Sequence, residues 1–441
     1  MGKTFFTIKW WRAPIDIAPL VLFRVAFGLL IACEGFGAIA TGWVHGTLIE
    51  PAFTFNFIGF EFLQPLPGNG MYVWFCLLGI SGIMVMLGWY YRLFMLLYAI
   101  LWTGVYLMQK THYNNHYYLA MLLCWLMMLV PANKDFSLDA KFGRVSRAFY
   151  CQRWCVWLFI THLWIVYTYA AIAKIYPDWL AADPIGMWFK HKTDYPIIGF
   201  VYGWDITKYA VSWGGIVFDA LIIPLLIWKR TRNWAFGLSI FFHLFNSITF
   251  QIGIFPFLMI GSCVLFYKGE TLRRVFNKFL LKANNNSLAK SHPLILYIIY
   301  AYLAVQIVLP LRHHYFPGNV NWTEEGHRLS WRMMLRSKSG SLSFEIKNKK
   351  TGKTTRLNPT KYLTSDQARA MSKRPDMIWQ FVQFLKQQLP KEGITDFEIY
   401  ARGKMRLNKR KRQNFIKHDY DLVNAEWHWY KSADWLVPLE E

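Results

Sequence analysis

The sequence predicts an integral membrane α-helical bundle of about nine transmembrane helices followed by a small extracytoplasmic α+β domain. Three observations predict it. The 441 residues are 54% hydrophobic and 18% aromatic, with a mean hydropathy of +0.19, so a water-soluble globule of this composition would expose far too much apolar surface. Long apolar runs fill the first 309 residues. After Pro310 the pattern turns to short alternating and helical-period segments.

In chain order, the runs place spans at Ile17 to Ile39, Met71 to Tyr90, Leu93 to Met108, Tyr117 to Val130 and Trp154 to Ala173. Four more follow, at Tyr209 to Trp228, Trp234 to Phe250, Ile254 to Phe266 and Leu294 to Leu309. The N-terminal apolar run is interrupted by Arg24 and Glu34 and is too long for a cleaved signal, which makes it a retained first span. Basic residues in Lys3 to Arg12, Arg92, Lys134 to Arg153, Lys229 to Arg232 and Arg273 to Lys290 fall on one side if the spans alternate. That side is cytoplasmic by the positive-inside rule, with Lys174 to Lys208 the main exception on the other. An odd number of spans then leaves the N-terminus in the cytoplasm and the C-terminal domain outside it. The expected division is 1–312 for the membrane domain and 313–441 for the extracytoplasmic one.

In the second domain Leu342, Phe344 and Ile346 alternate with polar residues ahead of a turn at Thr351, Gly352 and Lys353, which predicts a hairpin. Pro375 opens a helix carrying Ile378, Phe381, Val382, Leu385 and Leu389, and Phe397, Ile399 and Ala401 form another strand pattern. The basic run Lys404 to Lys417 reads as a solvated face or a lipid-headgroup contact, or alternatively as an acidic-substrate groove. The formal charge of +23 resides mainly in loops and in the C-terminal quarter, without a compact basic fold or stacking motif, so nucleic acid is not an expected partner. Six cysteines, all in or beside apolar segments, provide neither a zinc pattern nor a disulfide framework.

Ionisable and amide groups inside spans are costly, and each is a functional candidate. Arg24 and Glu34 are ten positions apart on one helix, roughly 15 Å of rise, so each needs a partner on another helix. Asn114, Asn115 and His116 enter the fourth span from the outer side, and Lys174 closes the fifth at that side. His243, Ser247 and Gln251, with Asn246 beside them, form a polar stripe on the seventh span, directed into the bundle. Asp219 adds a carboxylate near the middle of the sixth, either paired with a base or protonated. Lys174 either snorkels to the interface beside Tyr176 and Trp179 or serves as a buried base; His243 is either a hydrogen-bonded core histidine or a pocket residue. No metal-ligand spacing, phosphate loop or nucleophile elbow is present, so the chemistry expected is that of an amine or imidazole base with an organic cofactor.

These residues sit in longer strings. They are Phe23-Arg24 through Phe27-Gly28 to Glu34; Lys110 through Thr111, Asn114 and Asn115 to His116; Ala173-Lys174 to Pro177-Asp178-Trp179; His243 to Ser247; and Asn321-Trp322-Thr323 followed by Ser330-Trp331 and Met333-Met334. The set resembles the vitamin K-dependent gamma-carboxylase family, including its bacterial HTTM-domain relatives, in order over nearly the whole chain. The resemblance implies an enzyme that deprotonates reduced vitamin K, adds O2, and uses the resulting base to remove a γ-proton from a glutamate-containing polypeptide. CO2 then captures the carbanion, leaving γ-carboxyglutamate and vitamin K epoxide. It implies Lys174 as the quinol base, His116 with Asn115 as its catalytic companions, and Asn114, His243, Asn246 and Ser247 as cofactor-pocket residues, with no metal. The quinone is expected from the bilayer lipid and the polypeptide from the outer face. The ending soon after Trp435 and the absence of cysteine from the first outer loop depart from the animal enzymes and suggest a short bacterial homologue, with a bacterial inner-membrane location expected. Two further readings stand: a quinol oxygenase or epoxidase without peptide carboxylation, and a non-catalytic membrane lipid-binding protein.

Overall fold

A computed structural model describes residues 7–196, 198–280, 288–289, 292 and 294–440. Lys3 and Lys290, which bound two of the cationic stretches used to orient the chain, lie outside the described residues. Nine helices follow the nine apolar runs. They are α1 (Ala18–Ala40), α2 (Gly70–Leu87), α3 (Tyr91–Met108), α4 (Asn115–Leu129), α5 (Trp154–Ala173), α6 (Asp205–Ile227), α7 (Arg232–Phe250), α8 (Phe255–Ser262) and α9 (Ile295–Val308). Among the described residues six helical segments, α1, α2, α3, α5, α6 and the one containing α9, are long and apolar enough to cross a membrane. This makes the chain a multi-pass membrane protein. The expected nine is thus matched by helices but not by nine full-length apolar spans. Helix α4 has 15 residues, α8 has eight before a 3₁₀ turn at Cys263–Phe266, and α7 carries Arg232, His243, Asn246 and Ser247.

Small residues set the closest contact. A Cβ on Gly35 of α1 would lie 2.6 Å from the Gly79 nitrogen of α2, and one on Gly82 would lie 2.5 Å from the Ala32 nitrogen. Without a hydrophobic drive between helices in lipid, such close approach supplies the packing. The expected span Met71 to Tyr90 stops at Leu87, because Gly88 takes φ +65° as the helix cap and its carbonyl accepts from the Asp139 nitrogen.

Contacts sort the connections into two ends. At one end Arg273 binds Asp16 and Asp135, and short strands Pro14–Asp16, Tyr150–Gln152 and Leu288–Ala289 form one sheet. Arg24 donates to the carbonyls of Ala132 (3.0 Å) and Phe136 (2.5 Å) there, so it pins a connection to the bundle. At the other end Lys110 pairs with Asp376 at 2.5 Å, Asn115 donates to the Arg332 carbonyl, and Tyr176 donates to the Leu335 carbonyl.

The C-terminal domain is a four-stranded antiparallel sheet, order β2-β1-β3-β4, formed by β1 (Lys338–Asn348), β2 (Thr354–Leu357), β3 (Phe397–Leu407) and β4 (Gln413–Asn414). Phe344 pairs with Leu357 and with Ala401, and the hairpin turns through Gly352 at φ +68°, as the alternation predicts. Leu342, Phe344 and Ile346 share a core with Ile378, Phe381, Val382 and Leu385 of α10 (Pro375–Gln388). Phe55, from the connection between α1 and α2, joins that core, and Gln367 and Gln380 donate to the carbonyls of Phe53 and Asn56. The domain is therefore clamped onto the bundle. The basic run shares in this: Arg410 pairs with Asp178, Asn408 donates to Asp178 at 2.6 Å, and Lys409 pairs with Asp183. Residues 408–410 thus also serve as an intramolecular clasp, while Lys404, Lys409, Lys411, Arg412 and Lys417 keep the exposed face expected of the run.

Candidate active site

Helices α5, α6, α7 and α8 line an open cavity of about 100 Å³. Its walls are mainly aromatic and aliphatic: Tyr167, Trp179, Trp188, Phe242, Phe250, Phe255 and Met259. Its polar groups are Lys174, Asp219, His116, His243 and Asn246.

Lys174 is the C-terminal cap of α5 and is 9% exposed, which rules out the snorkelling reading. Its ammonium pairs with Asp219 of α6, donates to the Ala170 carbonyl at 3.3 Å, and lies 5.8 Å from the Trp179 ring centre. Gly215, one turn before Asp219, leaves room for the lysine stem: a Cβ there would lie 3.9 Å from Cε. His243 shares a 2.9 Å hydrogen bond between Nε2 and the Tyr167 hydroxyl, while its buried Nδ1 has no partner among the described residues. His116 lies on the first turn of α4 with its ring stacked on Phe255 at 3.9 Å, and its Nδ1 is likewise buried without a partner.

The other sequence candidates divide. Asn246 lines the cavity beside His243. Ser247 is half-buried and outside the cavity lining, and Gln251 is exposed, ending α7 at φ +51°. Of the stripe, His243 and Asn246 reach the aromatic cavity, while Gln251 lines a neighbouring pocket with Glu34, Asn114 and His116. Asn114 caps α4, accepting from the Tyr117 nitrogen at 2.8 Å. Asn115 accepts from the Tyr113 hydroxyl and donates to the Arg332 carbonyl, both at 3.1 Å, joining α4 to the C-terminal domain. Both line a second pocket rather than the aromatic one.

That second pocket adjoins the first, and His116, Met333 and Met334 line both. Its wall is cationic, with Arg332, Arg336, Lys338, Lys373 and Arg374 against one carboxylate, Glu324. Burial lowers the Lys338 amine to about 7, opposed by Glu324 and reinforced by Arg336, Arg374 and Lys373. Burial and neighbouring arginines bring Arg332 and Arg374 each down to about 10. Burial opposes ionisation of Glu324, yet Arg336, His327 and Lys338 hold its carboxyl down at about 2. Sequence reading did not single out this wall, nor Tyr167, Trp179 and Trp188 as the lining of one cavity. The available signal was the density of Arg and Lys flanking Trp331 and Pro375.

Fold and site together define a multi-pass membrane protein whose helices hold an amine and two imidazoles in an aromatic chamber, capped by a cationic α+β domain. Residues 12–270 match the family model of the HTTM domain, and residues 291–441 match that of the vitamin K-dependent gamma-carboxylase lumenal domain. The chain belongs to the vitamin K-dependent gamma-carboxylase family. No solved structure matches it. Among the described residues no group of three His, Cys, Asp or Glu side chains is placed to hold a metal ion.

Proposed function

We propose that this chain is a gamma-glutamyl carboxylase that couples oxygenation of reduced vitamin K to carboxylation of a glutamate-containing polypeptide. Family membership supports a carboxylase-type enzyme in general. The observation that carries the finer reading is the placement of the Lys174 and Asp219 pair in an aromatic chamber beside two imidazole nitrogens without partners. Those residues fit a quinol head group: aromatic walls to stack on it, and polar edges to bind its oxygens. Reduced vitamin K with O2 supplies a base stronger than any side chain, and CO2 supplies the new carboxyl carbon.

The chain's own residues do the rest. Lys174 Nζ contacts the Asp219 carboxyl; as the free amine it accepts the proton of a hydroxyl placed against it, and the Asp219 carboxylate pairs with the ammonium formed. His243, oriented by Tyr167, and His116, held flat against Phe255, offer N–H donors where negative charge develops. The aromatic lining excludes water from a base that water would quench. Glutamate enters through the cationic pocket, whose charge suits a carboxylate and whose wall shares His116 with the chamber. We place the N-terminus in the cytoplasm and this pocket on the outer side, so that lipid delivers the quinone and the outer compartment the polypeptide.

The test is an assay of purified protein with reduced vitamin K, labelled CO2 and a Glu-containing peptide, scoring epoxide and fixed label separately. Wild type gives both products, and Lys174→Ala loses roughly 10²-fold or more of each. Epoxide without label identifies an oxygenase instead. Neither product, or full activity in Lys174→Ala, overturns the assignment.

A further inference from the structure

The cationic pocket is overcharged for the substrate it receives. Glu324 is its one acid, and that carboxylate is engaged by Arg336 through a two-pronged contact, Nε at 2.7 Å and Nη2 alongside. Arg332, Lys338, Lys373 and Arg374 make no direct ion pair among the described residues, and Glu324 acts on Lys338, Lys373 and Arg374 only at longer range. Their polar contacts are to groups other than carboxylates: Arg332 to Asn321 Oδ1 at 2.9 Å and the His313 ring at 3.5 Å, Lys338 to the carbonyls of Trp322 and Lys373, and Arg374 to the Thr111 carbonyl and the Met377 sulfur. Arg332 is 8% exposed and its buried Nε has no partner. Like charges held together in a partly dry pocket repel, and burial removes the water that would screen them. Such a wall is stabilised by an anion of more than one charge.

Glutamate brings one carboxylate. Its carboxylated product brings two on the same carbon, separated as in malonate, within one side chain. We infer that the pocket of Arg332, Lys338, Lys373 and Arg374 is a seat for a geminal dicarboxylate, so that this chain holds the carboxylated side chain more tightly than the uncarboxylated one. This rests on the reading that glutamate is carboxylated beside His116. The added carboxylate has a cationic place to go as it forms, next to the ring shared by the two pockets. Departure of the dianion is then the slow physical step, and product competes with substrate.

Malonate, acetate and inorganic phosphate are the probes, titrated by calorimetry into the detergent-solubilised full chain without quinone. A second charge-assisted contact predicts malonate binding roughly tenfold tighter than acetate. Phosphate, a dianion of the wrong shape, binds more weakly than malonate. Lys373→Gln, at a half-buried position, weakens malonate several-fold and acetate by a smaller factor, narrowing the preference; Arg332→Gln does the same, with its melting temperature reporting whether it folds. Equal affinity for malonate and acetate, or for malonate and phosphate, overturns the inference, as does an unchanged malonate affinity in Lys373→Gln. The two readings fail separately. Carboxylation without malonate preference removes only the dicarboxylate seat, whereas malonate preference without carboxylation leaves the seat and removes the reaction.

Discussion

An ammonium and a carboxylate moved out of water each lose several kcal/mol of hydration, and only mutual contact offsets the loss. Lys174 and Asp219 make that contact from different helices, 45 residues apart in the chain. Removing either leaves the other buried and alone. Asp219→Asn keeps the shape of the side chain but removes the carboxylate that pairs with the ammonium, so epoxide formation falls by roughly 10²-fold, as for Lys174→Ala. Because the two act as a unit, the double variant loses little more than either single one. Additive losses in that cycle would show that they act separately. The sequence makes Lys174, His116, His243 and Asp219 visible, since each is a polar interruption of an apolar run. It does not make their pairing visible. Tyr167 also escapes notice, because tyrosine is ordinary in such a helix until its hydroxyl is found 2.9 Å from His243.

Helices α4, α7 and α8, which fall short of a full apolar span, are the ones that bring His116, His243, Asn246, Phe255 and Met259 to the cavity. Polar site residues reduce hydropathy, and the breaks that let Asn114 cap α4 and Gly253 turn at φ +61° shorten the helices. Full-length spans were therefore least legible in α4, α7 and α8, whereas α5 runs over Trp154–Ala173 as expected; α1 and α2 pack through small residues. That packing is testable. Gly35→Val and Gly82→Leu force side-chain atoms into the partner backbone and destabilise by about 1–3 kcal/mol each, lowering the melting temperature in detergent. Gly37→Ala is the control, because a Cβ there meets nothing within 4 Å; equal melting of all three would refute the close-contact account.

At the scale of the whole molecule, charge and contact agree on two ends. Arg273, Asp16 and Asp135 gather at one, while Lys110, Asp376 and Arg328 join the bundle to the sheet domain at the other. The alternating strands and α10 were legible in the sequence from their periodicity, but the docking was not, because Phe55 and Asp178 reach the domain from connections that carry no periodic signal. The cationic connections are our ground for proposing which end faces the cytoplasm, and that orientation decides what the pocket meets: outside the cytosol, the cationic wall would face exported polypeptide. Lys404 and Lys229 are exposed at opposite ends, and the six cysteines lie in or beside helices. In intact cells a membrane-impermeant maleimide should therefore label Lys404→Cys, while Lys229→Cys is labelled only after permeabilisation. The reverse pattern would put the sheet domain in the cytosol, and labelling of both sites from outside would mean that the bundle crosses an even number of times between them.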